Sequence, residues 1–507
     1  MGSTTIVPTG EATGEIYFDR LSPIRVFGTE AIRETLTDNV LEQAVNARLC
    51  PEITDVVLTP DAHVGFGAPI GCVMVSPSFI YPGPVGVDIN CSMSLLRFDL
   101  SEEALRGEKS LRRAIIQAIE KRVPTGVGNK ELKLARKFPL ELIERAIVEG
   151  PTPEICEETG IPYEWTSRCE DAFRTGHDGT IDSLRSRLEA LKTILSARKG
   201  GLERNYVNKL QQLGSYGGGN HFGECEVIRL TEEEKRNDGS NEENPSVAQT
   251  FGLRDGDLAF LSHCGSRGFG NLLATEQFAL LKRKFETWRI PIPACDPQLV
   301  YAPLGTPEAN DYLDDMTLAA NFATLNHLLI NALVWEAFRE CIPGVQASLV
   351  YYISHNIARK EIIDERPLWI HRKGATRAYP ANHFALRGTP FAKTGHPILL
   401  PGNPTQGSSV MVALEGAKRS YYSVNHGAGR ILARRKAVET LDQKAVDSEF
   451  EDADVLTNCR FYPKDEAPAA YKDFNEVLRS VKLAGLAREV ARLQARFVIK
   501  DSSNPDD

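Results

Sequence analysis

Apolar positions spaced three to four residues apart predict a helix over residues 30–49, after one or two short strands that begin near residue 12. The same spacing predicts two charged amphipathic helices within residues 101–148, on either side of the turn Pro124-Thr125-Gly126-Val127-Gly128. Further helices are expected over residues 181–213, over 311–339, where the periodicity is strong, and over 476–497, the last ending at Ile499-Lys500. Between them lie short apolar runs that stop at polar residues. Val56-Val57-Leu58 leads into Thr59-Pro60-Asp61-Ala62-His63, residues 258–262 into His263, 350–354 into His355-Asn356, and 421–424 into Asn425-His426. Such runs predict strands, and strand ends joined to loops are where chemistry is often placed. Two stretches lack either period. Residues 149–180 are acidic and broken by Pro151, Pro153 and Pro162, which predicts a surface excursion, and residues 230–247 predict a solvated loop. The last residues, 501–507, are polar and expected to fray.

Composition narrows the class. With 507 residues, 42% of them hydrophobic and 25% charged, the chain is an ordinary globular one, long enough for about three domains on a prior of roughly 150 residues each. The chemistry-bearing residues are nevertheless scattered from the first hundred positions to beyond position 420, which favours one site drawing on nearly the whole chain. A run of about 18 apolar residues is absent, so no membrane span is expected. Residues 1–11 have neither a basic patch nor an apolar core, and the ten cysteines form no CxxC. Both features point to a reduced, cytoplasmic setting. The net charge of −9 argues against general adhesion to a polyanion, so a nucleic-acid role needs a local basic groove. The expected place for one is the cationic cluster of Arg359, Lys360, Arg372, Lys373 and Arg377.

The most unusual stretch is Gly217-Gly218-Gly219-Asn220-His221-Phe222-Gly223-Glu224. Consecutive glycines suit positive φ or a closely approaching ligand, and the amide, imidazole and carboxylate behind them suit a metal or a nucleotide. Asp88 and Cys91 follow another glycine-rich turn, three residues apart. A carboxylate with a thiolate suits a borderline divalent ion such as Mn, Zn, Fe or Co, while a buried inert cysteine is the plainer alternative. His263 with Arg267 fits a metal ligand beside an anion clamp. His63 reads as an imidazole bonded to a backbone carbonyl, and His327 as a helix histidine with a structural role.

Taken in order, the segments PDAH, GVDINC, GGGNHFGE, HCGSRG, SHN, HRKGATRAYP, PGN with GS, NHGAGR and DEAPAAYKD resemble those of the RtcB family of RNA-splicing ligases, over about residues 15–500. The resemblance implies a single large α+β domain over residues 1–507, with central β-sheets, surrounding helices, an active site at strand ends and loops, and an acidic surface insertion near 149–180. It implies a GTP- and Mn-dependent ligase that joins RNA 2′,3′-cyclic phosphate or 3′-phosphate ends to 5′-hydroxyl ends. Asp88, Cys91 and His221 then resemble ligands of one Mn ion, with Cys91 bridging to a second held by His263 and His355. His426 resembles the histidine that becomes covalently guanylylated. Asn220, His221, Phe222, Gly223, Glu224, His355, Asn356, Pro401, Gly402, Asn403, Pro404, Ser408, His426, Gly427, Ala428, Gly429 and Lys500 resemble nucleotide contacts. Asp61 resembles an acid behind the metal cysteine, and Arg267 is expected to support the site or contact RNA phosphate.

The chemistry agrees with those residue types. A neutral imidazole can attack the α-phosphorus of GTP once the phosphate charge is offset, giving a phosphoramidate whose GMP passes to an RNA 3′-phosphate. The resemblance also implies an archease activator as a partner. Two other readings share the metal donors: a metal-dependent phosphohydrolase acting on RNA 3′ ends, which would not need His426, and a non-catalytic RNA-binding paralogue.

Overall fold

The computed structural model describes residues 5–126, 136–170, 180–237 and 245–501. Two sheets carry the architecture. The first has seven strands in the order Val7–Gly10, Thr13–Ile16, Ile24–Phe27, Asp55–His63, Ile70–Ser76, Arg366–Lys373 and Asn356–Ile363. The second runs Ala347–Ser354, Ser92–Ser101, Asp257–Cys264, Phe222–Leu230, Ala487–Lys500, Gly407–Ala413 and Pro397–Asn403, with Leu456–Thr457 pairing alongside Ala487–Lys500 as its eighth strand.

Helix Pro307–Cys341 is the core of the helical layer, starting where Thr306 caps its first turn and Pro307 occupies a position that needs no N–H. It is long and apolar enough to cross a membrane, but its most apolar window is wholly enclosed by protein. Its buried polar residues brace loops of the site. Asn326 Oδ1 accepts from Gly214 N at 2.7 Å and Ser215 N at 3.3 Å, and its Nδ2 donates to Gly265 O at 3.3 Å. His327 bonds Ser94 Oγ and Cys264 O, each at 3.0 Å, which is the structural role read from the sequence.

Several expected elements differ. The helix expected over 30–49 is two, Glu30–Arg33 and Asp38–Arg48. That expected over 181–213 stops at Ser196, before the positive-φ pair Gly200-Gly201, and resumes as a short wide turn, Glu203–Val207, and Asn208–Leu210. The largest correction is at the C-terminal end, where a helix Phe474–Leu483 is followed by the 14-residue strand Ala487–Lys500. The acidic stretch after residue 149 is no loose excursion, since Ile155, Cys156, Trp165 and Glu170 are all buried and Pro153–Thr159 is helical. His177, Val127 and Gly128 lie outside the described residues, as do 502–507. In the stretch expected as a solvated loop, Glu232–Asn237 is a helix and Glu234 is buried.

The basic cluster is a second correction. Arg372 is fully buried and its Nη2 meets Glu361 Oε2 at 3.0 Å, while Arg359 and Arg377 lie 3.5 and 2.8 Å from the buried Glu170. Lys373 donates to the carbonyls of Phe66 and Gly83. Of the five cations only Lys360 is exposed, so the run is interior cement between segments far apart in sequence and offers no groove to a polyanion. Removing one partner of such a pair strands a buried charge. Arg372→Ala is therefore expected to cost about 3–5 kcal/mol, read as a lower denaturant midpoint.

Candidate functional site

Strand direction explains why residues so distant in sequence meet. In the second sheet Ser354 pairs with Ser92, Ser92 with Cys264, and Phe222 with His263, all antiparallel. The starts of strands Ser92–Ser101 and Phe222–Leu230 therefore lie level with the ends of Asp257–Cys264 and Ala347–Ser354. Cys91, His221, His263 and His355 sit at those four positions along one end of the sheet.

There their donor atoms converge. Cys91 Sγ is 3.2 Å from His263 Nε2 and 3.6 Å from His221 Nε2, and His263 Nε2 is 3.2 Å from His355 Nε2. Asp88 Oδ2 lies 2.9 Å from His221 Nε2. Cys91, His263 and His355 form one group with all donor atoms within 4.8 Å of one another, and Asp88, Cys91 and His221 form a second. Cys91 belongs to both. The donors are also oriented from behind. His221 Nδ1 lies 2.9 Å from Tyr216 O, which orients the ring and turns Nε2 toward Asp88 and Cys91. Asp88 Oδ1 accepts from Ser266 N at 3.2 Å.

The electrostatics favour ligation. Burial, followed by the nearby imidazoles, holds His263 and His355 well below the ordinary histidine range, which keeps them neutral. Burial and the Asp88 charge push the Cys91 thiol up, so its thiolate needs a cation beside it. Two nitrogen–sulfur donor sets, one with a carboxylate, suit a borderline divalent ion.

Arg267, with φ 54°, begins helix Arg267–Trp288 and is buried behind His221, its Nη1 at 3.3 Å from Nδ1. The glycine stretch makes the room: a Cβ on Gly217 would lie 1.5 Å from Arg267 Nη2, and its φ is +70°. Gly217→Ala is accordingly expected to cost at least about 1–2 kcal/mol for the left-handed backbone alone, to displace Arg267, and to lower both the melting temperature and metal retention.

His426 stands on the other side of His355, with ring centroids 4.6 Å apart. It follows the short strand Ser423–Asn425, which pairs with Ala375–Arg377. Its Nδ1 lies 2.7 Å from Asp61 Oδ2 and 2.9 Å from Gly374 O. Both are acceptors, so in the neutral ring Nδ1 is the protonated nitrogen and Nε2 the one with the lone pair. Burial by itself would raise Asp61, but the His426 hydrogen bond and charge, with the Thr59 hydroxyl, bring it below the ordinary carboxylate value. Asp61 thus touches His426 and Thr59, and lies behind the imidazole rather than behind the cysteine. His63 Nδ1 meets Asp61 O at 2.8 Å, the carbonyl bond read from the sequence.

The other expected contacts surround this line of imidazoles. Asn356 Nδ2 donates to Asp88 O at 3.3 Å, and its Oδ1 accepts from Gly374 N at 2.9 Å. Phe222 packs edge-on against His263 and pairs with Lys500 across the sheet. Asn220 is exposed, Gly223 lies against Tyr216 and Phe260, and Glu224 is buried. Gly427 approaches Pro401 O, Ala428 is buried, and Gly429 lies directly over the Asp61 backbone. Gly402 packs on Phe474, Ser408 is buried, and Lys500 Nζ is held by Glu466 at 2.5 Å. Asn403 does not present its amide to the site. It is buried and closes its own turn, Oδ1 accepting from Gln406 N at 3.0 Å and Thr405 N at 3.2 Å, with Pro404 between them.

Sequence reasoning missed Tyr216, Gly374 and Glu226, which act through backbone carbonyls or through burial and leave no local signal. It also gave no role to Lys472, although that residue lies within the DEAPAAYKD segment.

A family model described as tRNA-splicing ligase RtcB matches residues 43–501. The tRNA-splicing ligase RtcB of Pyrobaculum aerophilum is 32% identical over 497 residues, covering 94% of each chain. That of Nanoarchaeum equitans is also 32% identical, over 94% of this chain and 95% of its own. The RNA-splicing ligase RtcB of Mycobacterium tuberculosis is 30% identical over 89% of this chain and 98% of its own.

Proposed function

This chain belongs to the RtcB family of RNA ligases, and from that premise we propose that it seals RNA 2′,3′-cyclic phosphate or 3′-phosphate ends to 5′-hydroxyl ends, using GTP, manganese and a covalent GMP adduct of His426. We treat residues 1–507 as one catalytic unit, because the groups invoked run from Asp61 to Lys500.

Cys91 with His263 and His355, and Cys91 with Asp88 and His221, would hold the two ions. Bound manganese would supply the positive charge that offsets the phosphates. Everything else falls to the chain. Asp61 and Gly374 O hold the His426 Nδ1 proton, which points the Nε2 lone pair outward as the nucleophile. A 2′,3′-cyclic end is first opened by water, which breaks the P–O2′ bond and leaves a 3′-phosphate and a 2′-hydroxyl. Nε2 bonds to the α-phosphorus as pyrophosphate leaves; an oxygen of the RNA 3′-phosphate then takes the GMP and frees His426. The 5′-hydroxyl finally attacks the activated phosphorus and GMP departs. Glu224 fits the nucleotide, for its Oε1 is buried with no hydrogen-bond partner among the described residues and suits an N–H donor such as guanine carries. Burial and the charge of Glu226 raise Glu224 well above the usual range, so such a donor would stabilise its charged form.

The observation that supports this reading most is the Asp61–His426 pair lying against His355, because neither rival reading needs a second imidazole with its lone pair freed there. The test is incubation with α-labelled GTP and manganese, followed by denaturing electrophoresis. Label retained on the protein and passed to RNA carrying a 3′-phosphate is expected. Absence of label on protein that has bound metal would favour the phosphohydrolase or the RNA-binding paralogue. The proposal includes an archease-type activator, seen as faster multiple-turnover ligation on its addition.

A further inference from the structure

We propose that Lys472 is a positioning residue that aims Asp61 at His426. The inference rests on the reading of His426 as the nucleophile.

The strand bearing Asp61 is irregular where it matters. Asp55–His63 pairs with Ile70–Ser76 from Asp55 to Leu58, then breaks register and resumes only at His63 opposite Ile70. Residues 59–62 therefore bulge away from that ladder, and their carbonyls need other donors. Side chains supply them. Lys472 Nζ donates to Pro60 O at 2.9 Å and to Ala62 O at 2.8 Å, the two carbonyls flanking Asp61, while His63 Nδ1 meets Asp61 O itself. Lys472 also reaches the other partner, since its backbone N donates to Gly429 O at 2.9 Å, three residues beyond His426. One residue thus ties the Asp61 bulge to the His426 turn.

The fit around Asp61 is close. A Cβ on Gly71 would lie 2.7 Å from Asp61 Oδ1, and one on Gly429 would lie 2.4 Å from Asp61 O. Lys472 itself is 2% exposed. Burying an ammonium is costly, and here the cost is offset by two carbonyl bonds and by the Asp61 charge nearby. Burial lowers the Lys472 pKa to about 8, opposed by the Asp61 carboxylate. Without the ammonium the bulge loses two of its donors, and Asp61 loses the restraint on both sides that keeps Oδ2 on His426 Nδ1.

The test is single-turnover guanylylation at saturating labelled GTP and manganese in Lys472→Met, Asp61→Asn and the double variant of the full chain. A misplacement of about 1 Å is worth about 10²-fold, so Lys472→Met is expected to slow adduct formation by about that factor while the GTP concentration for half-saturation and the bound metal stay unchanged. If Lys472 acts through Asp61, the double variant is no slower than Asp61→Asn alone. Adduct formation within twofold of wild type in Lys472→Met, or losses that multiply in the double variant, would overturn the proposal. If Lys472→Met does not fold, Lys472→Leu, which also lacks the donor, is judged by the same two criteria. A wild-type chain that forms no adduct refutes the His426 reading instead.

Discussion

His426→Ala is expected to abolish the covalent GMP adduct and RNA joining together, by about 10⁴-fold or more, while leaving metal binding intact. The size follows from the kind of loss. Alanine removes the atom that forms the bond, and the remaining groups can only orient substrates that have no acceptor for GMP. Metal binding should survive because His426 lies outside both converging donor groups. It touches them only through the face of His355, at 4.6 Å between ring centroids. Metal content by mass spectrometry and adduct by electrophoresis read the two properties separately. A variant that still hydrolysed RNA 3′-phosphates in a metal-dependent way, in step with a wild type that never labels, would move the assignment to the phosphohydrolase.

The second large effect is expected from Cys91→Ala. Its sulfur is the one donor common to both groups, so its removal should empty both positions, whereas His355→Ala or His221→Ala should weaken one each. Losing a shared ligand also leaves Asp88, His221, His263 and His355 pointing at a gap of the wrong size for either set. Adduct formation and ligation should both become undetectable at manganese concentrations that saturate the wild type. The fold should survive, because the thiol is small, wholly buried and bonded only to the other donors. An unchanged metal content in a folded Cys91→Ala chain would separate the cysteine from the site.

The elements legible in the sequence were those whose local pattern and final setting agree. The runs ending at His63, His263 and His355 read as strands because short apolar runs stop sharply at polar residues, and they are strands. Residues 487–500 misled for a clear reason. Ala487-Arg488-Glu489-Val490-Ala491-Arg492-Leu493-Gln494 is made of helix formers, with apolar residues near helical spacing. Its place between two strands of a sheet overrides that preference. The cationic run misled differently. Nothing local to Arg359, Arg372 and Arg377 announces that Glu361 and Glu170 will neutralise them in the interior, since Glu170 lies about 190 positions upstream of Arg359 in a stretch with no period. The register break after Leu58 is equally silent, and with it the need for Lys472. The motifs revealed which residues meet, but the alternating strand directions that make them meet exist only in three dimensions.

That last strand has an implication for biosynthesis. Because Ala487–Lys500 lies between Phe222–Leu230 and Gly407–Ala413, a nascent polypeptide has a slot in the middle of its sheet until residues 487–500 leave the ribosome. Cys91, His263, His355, His426 and Lys472 are all translated earlier, before the strand that joins the two halves of that sheet. Completion of the sheet is thereby coupled to the synthesis of that one segment.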